Sequence, residues 1–222
     1  MKTPIFCRIF DYRKTLLPNE YLASLEEGVS DIEQAKVRTG LSVGYPGWTL
    51  LYYSVLCGLD RTGGNIIVET GTNIGCSTIM LAQALKDSGY DGHVHTVELL
   101  EENYRAAVEN IEKAGLSRYV SLNCGNSTDF LKEFTKNVTS IRFAFLDGAH
   151  EQDHVVEEFE LIYPLLTDKS MVFFDNTYQI AEEGEDQRVH GALKIIKSRF
   201  GGNLINFENT SWFTPGQAIW QK

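Results

Sequence analysis

The sequence predicts a doubly wound α/β fold: a mostly parallel seven-stranded sheet with helices on both faces, an antiparallel last strand and a helical segment in front. Three observations predict it. Short strand-like runs rich in β-branched residues alternate with helix-like segments, and parallel neighbours need such crossovers because a tight turn cannot join them. The chain has 222 residues, about what a sheet covered on both faces requires. The last two strand candidates, residues 204–207 and 217–220, leave no room for a helix between them, so they pair antiparallel.

The elements follow in order. Over residues 19–38, Tyr21, Leu22, Leu25, Val29 and Ile32 recur at helical spacing among acidic residues, which predicts one amphipathic helix. A turn at Gly44-Tyr45-Pro46-Gly47 leads into a second, more apolar helix over residues 48–59. Strand and helix then alternate: strands at 66–69, 93–98, 120–124, 141–147 and 171–175, with helices at 77–86, 101–114, 128–134 and 155–166. A loop over 178–190 and a helix over 192–200 precede the final strand pair. With no repeat, low-complexity stretch or Pro/Gly/Ser-rich linker, residues 1–222 read as one domain, residues 1–62 forming a helical cap on a core of 63–222.

Composition narrows the function classes. Thirty acidic residues against 20 Lys and Arg give a net charge of -10, which repels phosphate backbones and anionic membrane surfaces. No nucleic-acid or membrane partner is expected, and association with further copies of the chain stays open. Met1 to Phe10 hold no apolar run long enough for a signal peptide, and nowhere do 18 uncharged apolar residues stand together, so a cytoplasmic protein is expected. Cys7, Cys57, Cys76 and Cys124 lack Cys-x-x-Cys spacing, which predicts reduced, half-buried thiols.

The first strand, Ile66-Ile67-Val68-Glu69, runs into Thr70-Gly71-Thr72-Asn73-Ile74-Gly75-Cys76-Ser77, a loop that opens a helix. The carboxyl edge of an open α/β sheet is where ligands bind, and glycines let the backbone approach them. The spacing is Gly-x-x-x-Gly, not the Gly-x-Gly-x-x-Gly of a dinucleotide fingerprint. The next strand ends in Glu98, 27 residues past Gly71, where a carboxylate can accept bonds from both ribose hydroxyls of an adenosine. A dinucleotide needs its pyrophosphate at the helix N-terminus, where Glu69 places a negative charge. A carboxylate suits a ligand carrying an amino group and a sulfonium. The plain alternative is that the glycines only turn the chain and Glu98 is a solvated strand end.

Two further strands end in acids, one in Asp147 and one in Asp175-Asn176. If these strands are neighbours their ends lie about 5 Å apart, close enough for three oxygen donors to converge on one ion. Oxygen donors suit a hard cation such as Mg2+. Asp-Gly and Asp-Asn are also ordinary turn signals.

From Val68 to Asn176, about half of the chain, the sequence resembles the cation-dependent class I S-adenosylmethionine O-methyltransferases of the catechol and caffeoyl-CoA type, with a related branch acting on natural-product sugars. Val68-Glu69-x-Gly71-x-x-x-Gly75-x-Ser77 is similar to the family's methionine-binding loop, which implies that Glu69, Gly71, Asn73, Gly75 and Ser77 bind the cofactor. The resemblance further implies that Glu98 binds the ribose and that Gly125-Asn126-Ser127 is the segment whose serine contacts adenine, so that Asn126 and Ser127 are cofactor-binding residues. It implies a divalent cation on Asp147, Asp175 and Asn176, a Rossmann-like methyltransferase fold and a small-molecule hydroxyl as acceptor. Catechol-type members place a lysine base three residues after the first metal aspartate. Here that position is His150, and Asp147-Gly148-Ala149-His150 resembles the Asp-Gly-x-His of the sugar branch. Histidine titrates near neutral pH and can take the hydroxyl proton, so His150 and Asp147 are the expected catalytic pair, with a sugar or other natural product favoured over a catechol.

Two other readings compete. His150-Glu151-x-x-His154 satisfies the His-Glu-x-x-His pattern of zinc peptidases, although neither His190 nor Glu157, Glu158 or Glu160 stands out as third ligand. A non-catalytic module that binds an adenosine ligand would share the glycine loop and Glu98. The acidic loop over 178–190 follows the metal candidates and could cover an acceptor, and Trp48, Tyr178 and Trp212 could line its pocket, though aromatics more often fill a core.

Overall fold

The computed structural model describes residues 19–29, 32–40, 47–177, 188–207 and 216–222. Met1–Phe10, the Gly44-Tyr45-Pro46 turn, Tyr178 and Trp212 lie outside the described residues, as does most of the acidic loop. The chain order is α1 (Glu20–Glu26), α2 (Ile32–Thr39), α3 (Gly47–Gly58), β1 (Asn65–Thr70), α4 (Cys76–Ser88), β2 (Gly92–Glu98), α5 (Glu101–Lys113) and β3 (Val120–Cys124). Then come α6 (Ser127–Phe134), β4 (Ile141–Leu146), α7 (Gln152–Ile162), β5 (Leu166–Asp175), α8 (Val189–Phe200), β6 (Asn203–Phe207) and β7 (Gln217–Gln221).

The seven strands form one sheet in the order β3-β2-β1-β4-β5-β7-β6. β1 through β5 run parallel, while β7 pairs antiparallel with both β5 and β6. The chain leaves β1 toward β2 and β3 on one side, then returns to β4 and β5 on the other. Between β1 and β4 the winding reverses, and that reversal opens a crevice at the carboxyl ends of the strands.

Alternation along the buried strands feeds two cores. Ile67, Val94, Phe143, Phe145 and Phe173 face one side, where they meet Trp48, Leu51 and Met80 from α3 and α4. Val68, Ala144, Leu146, Val172 and Phe174 face the other, against Phe159, Ile196 and Trp220. Phe159 sits edge-on to Trp220 at 5.0 Å between centroids. Truncating such a fully buried phenylalanine to alanine costs about 3–5 kcal/mol. Leu22 of α1 and Trp48 of α3 belong to the first core, so the N-terminal helices share the sheet's packing. Trp48 is therefore core, not an acceptor-pocket wall.

Several boundaries differ from the expectations. The single helix over 19–38 is two, because Gly28 adopts a left-handed φ of 72° and ends the first. Asn19 caps α1 by accepting from the backbone N–H groups of Tyr21 and Leu22. The helix expected to run to residue 166 stops at Ile162, and a short 3-10 turn over Tyr163–Leu165 follows, since Pro164 offers no N–H to continue the α-helical ladder. β5 then starts at Leu166, five residues earlier than expected, with a register shift against β4 between Ile141 and Phe143. α8 begins at Val189, so His190 lies in a helix and not in the loop. Cys76 is buried, whereas Cys57 and Cys124 are exposed; none of the three is bonded to another cysteine. No helix among the described residues is long and apolar enough to cross a membrane.

Candidate functional site

The crevice is built around Gly71. Its φ is 82°, and a Cβ there would stand 2.0 Å from the carbonyl oxygen of Asp147, so only glycine lets the loop after β1 touch the loop after β4. Backbone bonds lock the contact: Asp147 N–H donates to Thr70 O at 3.1 Å, and Gly71 N–H donates to Val97 O at 3.1 Å. Gly75, also left-handed at 91°, caps α4 and packs toward Ala107.

Glu69, the penultimate residue of β1, is fully buried. Its Oε2 accepts hydroxyls from Thr78 and, at 2.7 Å, from Thr96. Its Oε1 has no partner. Burial pushes the Glu69 pKa up, and the hydroxyls of Ser77, Thr78 and Thr96 hold it down only in part. A buried carboxylate with one oxygen spare is a receptor for a cationic group.

Glu98 ends β2 beside the loop and is 6% exposed. Its two oxygens accept from the backbone N–H groups of Asn73, at 2.7 Å, and Leu100, at 2.9 Å. Asn73 is left-handed, with φ at 49°, and its side-chain amide donates to Gly40 O, so its backbone and not its side chain faces Glu98. Across β3, Asn126 is the N-cap of α6: its Oδ1 accepts from Thr128 N–H at 2.9 Å, Thr128 Oγ1 at 2.8 Å and Asp129 N–H at 3.2 Å. The Ser127 hydroxyl lies 2.8 Å from His154 Nε2.

On the other side of Gly71, β4 and β5 are parallel neighbours, as the metal reading required. Asp147 follows β4 with its side chain 17% exposed, and Asp175 ends β5 at 2%. Burial raises both carboxyl pKa values well above the ordinary range. Repulsion adds to it, from Glu69 and Glu158 on Asp147 and from Asp147 on Asp175. Asp175 Oδ1 is buried without a partner. Asn176 is left-handed at φ 54°, and its amide nitrogen lies 3.0 and 2.8 Å from the two ring nitrogens of His150. His150 Nε2 is 3.4 Å from Asp147 Oδ1. Burial lowers the His150 pKa, against an opposing pull from Asp175. Burial thus favours the neutral imidazole, the form that can accept a proton.

The sequence profile of a family described as "Methyltransferase domain" matches residues 68–177, the stretch that carries Gly71, Glu98, Asp147 and Asp175. Residues 68–177 belong to the methyltransferase-domain family. Among curated proteins the chain is similar to protein-L-isoaspartate O-methyltransferase of Staphylothermus marinus, 39% identical over 72 residues covering 32% of each chain. It is also similar to caffeoyl-CoA O-methyltransferase of Mesembryanthemum crystallinum, 29% identical over 113 residues, or 50% of this chain and 42% of that one. The chain thus spans well under half the length of these curated relatives. The solved O-methyltransferase TomG from Streptomyces achromogenes, in complex with SAM, superposes with a TM-score of 0.69 at 22% identity, over 91% of this chain and 94% of that one. At that identity the likeness is one of fold.

Within the methyltransferase domain the His-Glu-x-x-His pattern dissolves. His150 precedes α7, Glu151 is its N-cap, and only His154 is helical. His150 turns to Asn176 and Asp147, while His154 turns to Ser127 and Glu158, so the two imidazoles serve different partners. Among the described residues no three His, Cys, Asp or Glu side chains gather as an ion cluster. The Asp147, Asp175 and Asn176 set has two carboxylates and an amide. Its crowded, buried acids and the unpartnered Asp175 oxygen fit a hard cation. Several polar residues here have roles the sequence did not point to: Thr70, Thr96 and Glu158, and Gln217 of β7, the register partner of Asp175, with both amide atoms buried and unpartnered. Glu158 had a signal, since it shares a helical face with Val155 and Ile162, both buried.

Proposed function

We propose that the chain transfers the methyl group of S-adenosylmethionine to a hydroxyl of a small molecule, with help from a divalent cation. One observation carries the reading: Gly71 packs the loop after β1 onto Asp147, which brings the Glu69 carboxylate, with its unpartnered oxygen, within electrostatic reach of the acid that lies against the His150 imidazole. Glu69 suits the cofactor's ammonium group, the loop from Gly71 to Ser77 its methionine part, Glu98 its ribose, and Asn126 and Ser127 its adenine end. Asp147, Asp175 and Asn176 would hold the cation, Mg2+ or another, which lowers the pKa of an acceptor hydroxyl and fixes its direction.

His150 then acts as base. The hydroxyl proton passes to its ring, the acceptor oxygen forms a bond to the methyl carbon, and the carbon–sulfur bond breaks with its electron pair going to sulfur, leaving S-adenosylhomocysteine. Asp175 raises the proton affinity of that ring, and Asn176 and Asp147 hold it in place. A histidine at this position favours a sugar or other natural-product hydroxyl over a catechol. That the 222 residues act as one cytoplasmic domain belongs to the same proposal, supported by the core that α1 and α3 share with the sheet and by three unbridged thiols.

Methyl transfer from labelled S-adenosylmethionine to a panel of sugars, phenols and natural-product alcohols tests the reading. Turnover that stops with a chelator and returns with Mg2+ is expected. Turnover indifferent to the chelator would remove the cation.

A further inference from the structure

A polar chain behind the crevice joins the adenine side to the glycine loop. Thr70 Oγ1–H, one residue before Gly71, donates to Glu158 Oε2 at 3.1 Å. The other Glu158 oxygen lies 3.2 Å from His154 Nε2, and the same Nε2 lies 2.8 Å from Ser127 Oγ. Glu158 is completely buried in α7, while the His154 side chain is 24% exposed.

The polarity of this chain follows from its terminal acceptor. A carboxylate offers no hydrogen, so the His154 nitrogen facing it must carry one. That Nε2–H serves Glu158 and Ser127 together, which makes Ser127 Oγ an acceptor on its inner side. The serine's own hydrogen is then free to turn outward. Were Nε2 bare, Ser127 would donate inward and show the crevice only lone pairs, and the His154 lone pair would face the buried carboxylate. Glu158 raises the His154 pKa, in keeping with a protonated Nε2.

We propose that Glu158 and His154 are positioning residues that fix the Ser127 hydroxyl as a hydrogen-bond donor toward the adenine ring, so that the site reads an acceptor nitrogen of the base. The inference rests on the adenine-side reading of Ser127 given above. It also gives the buried acid a task on the cofactor's base besides anchoring α7 to β1 through Thr70. Glu158→Gln keeps the shape and still accepts from Thr70, yet its amide can donate to Nε2 and so lets the serine hydrogen swing inward.

The test is a double-mutant cycle on affinity for S-adenosylhomocysteine, measured by titration calorimetry on the full chain with Ser127→Ala, Glu158→Gln and both together. Each single variant is expected to weaken binding roughly tenfold, the worth of one hydrogen bond, and the double variant no more than either alone. Losses that multiply, or a Glu158→Gln variant that melts lower yet binds as tightly as wild type, would overturn the positioning role. Should Glu158→Gln fail to fold, His154→Ala takes its place in the cycle, with His154→Gln, which restores an N–H donor, expected to recover most of the affinity. A wild-type chain that does not bind S-adenosylhomocysteine at all would overturn the cofactor reading and this inference with it. Tight wild-type binding with independent losses would overturn the inference alone.

Discussion

The two sides of the crevice solve opposite problems. On the side of β2 and β3 the polar groups are largely partnered: both Glu98 oxygens hold backbone N–H groups, Asn126 caps a helix, and Ser127, His154 and Glu158 form a hydrogen-bonded chain. On the side of β1, β4 and β5 they are not. Glu69 and Asp175 each keep a buried oxygen without a partner, and Glu69, Asp147 and Asp175 raise one another's pKa or are raised by burial. A satisfied region is shaped in advance for a neutral, flat ligand. A region of stored negative charge is a receptor for cations and is costly until they arrive. Stability and function therefore conflict on the side of β1, β4 and β5.

The largest effect should come from the charged side. Asp175→Ala is expected to abolish turnover while S-adenosylhomocysteine affinity stays within a few-fold, measured by steady-state assay beside calorimetry; full activity would remove the metal mechanism. Gly71→Ala attacks the seam between the two sides. With φ at 82° and Asp147 O in the space its methyl group needs, it should cost about 3 kcal/mol or more in denaturant unfolding and lose cofactor binding.

His150→Ala should lower kcat by roughly 10²–10⁴ near neutral pH and erase the acidic limb of the pH profile, which a profile of unchanged shape would contradict. Glu69→Gln removes charge while keeping an oxygen that can accept the Thr78 and Thr96 hydroxyls. The Glu69 pKa is raised on folding, so the wild type is stabilised fully below the carboxyl's unfolded value and loses that stability as pH rises through the folded value. The ligand-free variant should therefore be more stable than wild type at pH 8, with the gain shrinking toward pH 4, while its cofactor affinity falls. A gain independent of pH would mean that the charge is not the cause.

How much of this was legible in the sequence divides along the same line. Strand alternation revealed the sheet, and strand-end acids followed by glycine or asparagine marked Asp147 and Asp175, because exposed ends of buried strands are where polar residues break an apolar run. Gly71 was visible as a turn, but its contact with Asp147 depends on β1 and β4 becoming neighbours, which no local pattern encodes. The helix break at Gly28 hid because the apolar spacing continues through it. Glu158 resembles its acidic neighbours Glu157 and Glu160 in sequence, yet only it is buried, and its partners Thr70 and His154 come together through the fold. Asn126 was expected to bind the cofactor; its side-chain oxygen is occupied in capping α6, a role that Asn-Ser before a helix equally signals.

The most direct test of the central claim is a calorimetric titration of the metal-stripped chain with S-adenosylhomocysteine, repeated with Mg2+. Micromolar-range binding is expected in both, because Glu69, the glycine loop and Glu98 would hold the cofactor through groups that are not ligands of the ion. No binding under either condition would contradict it.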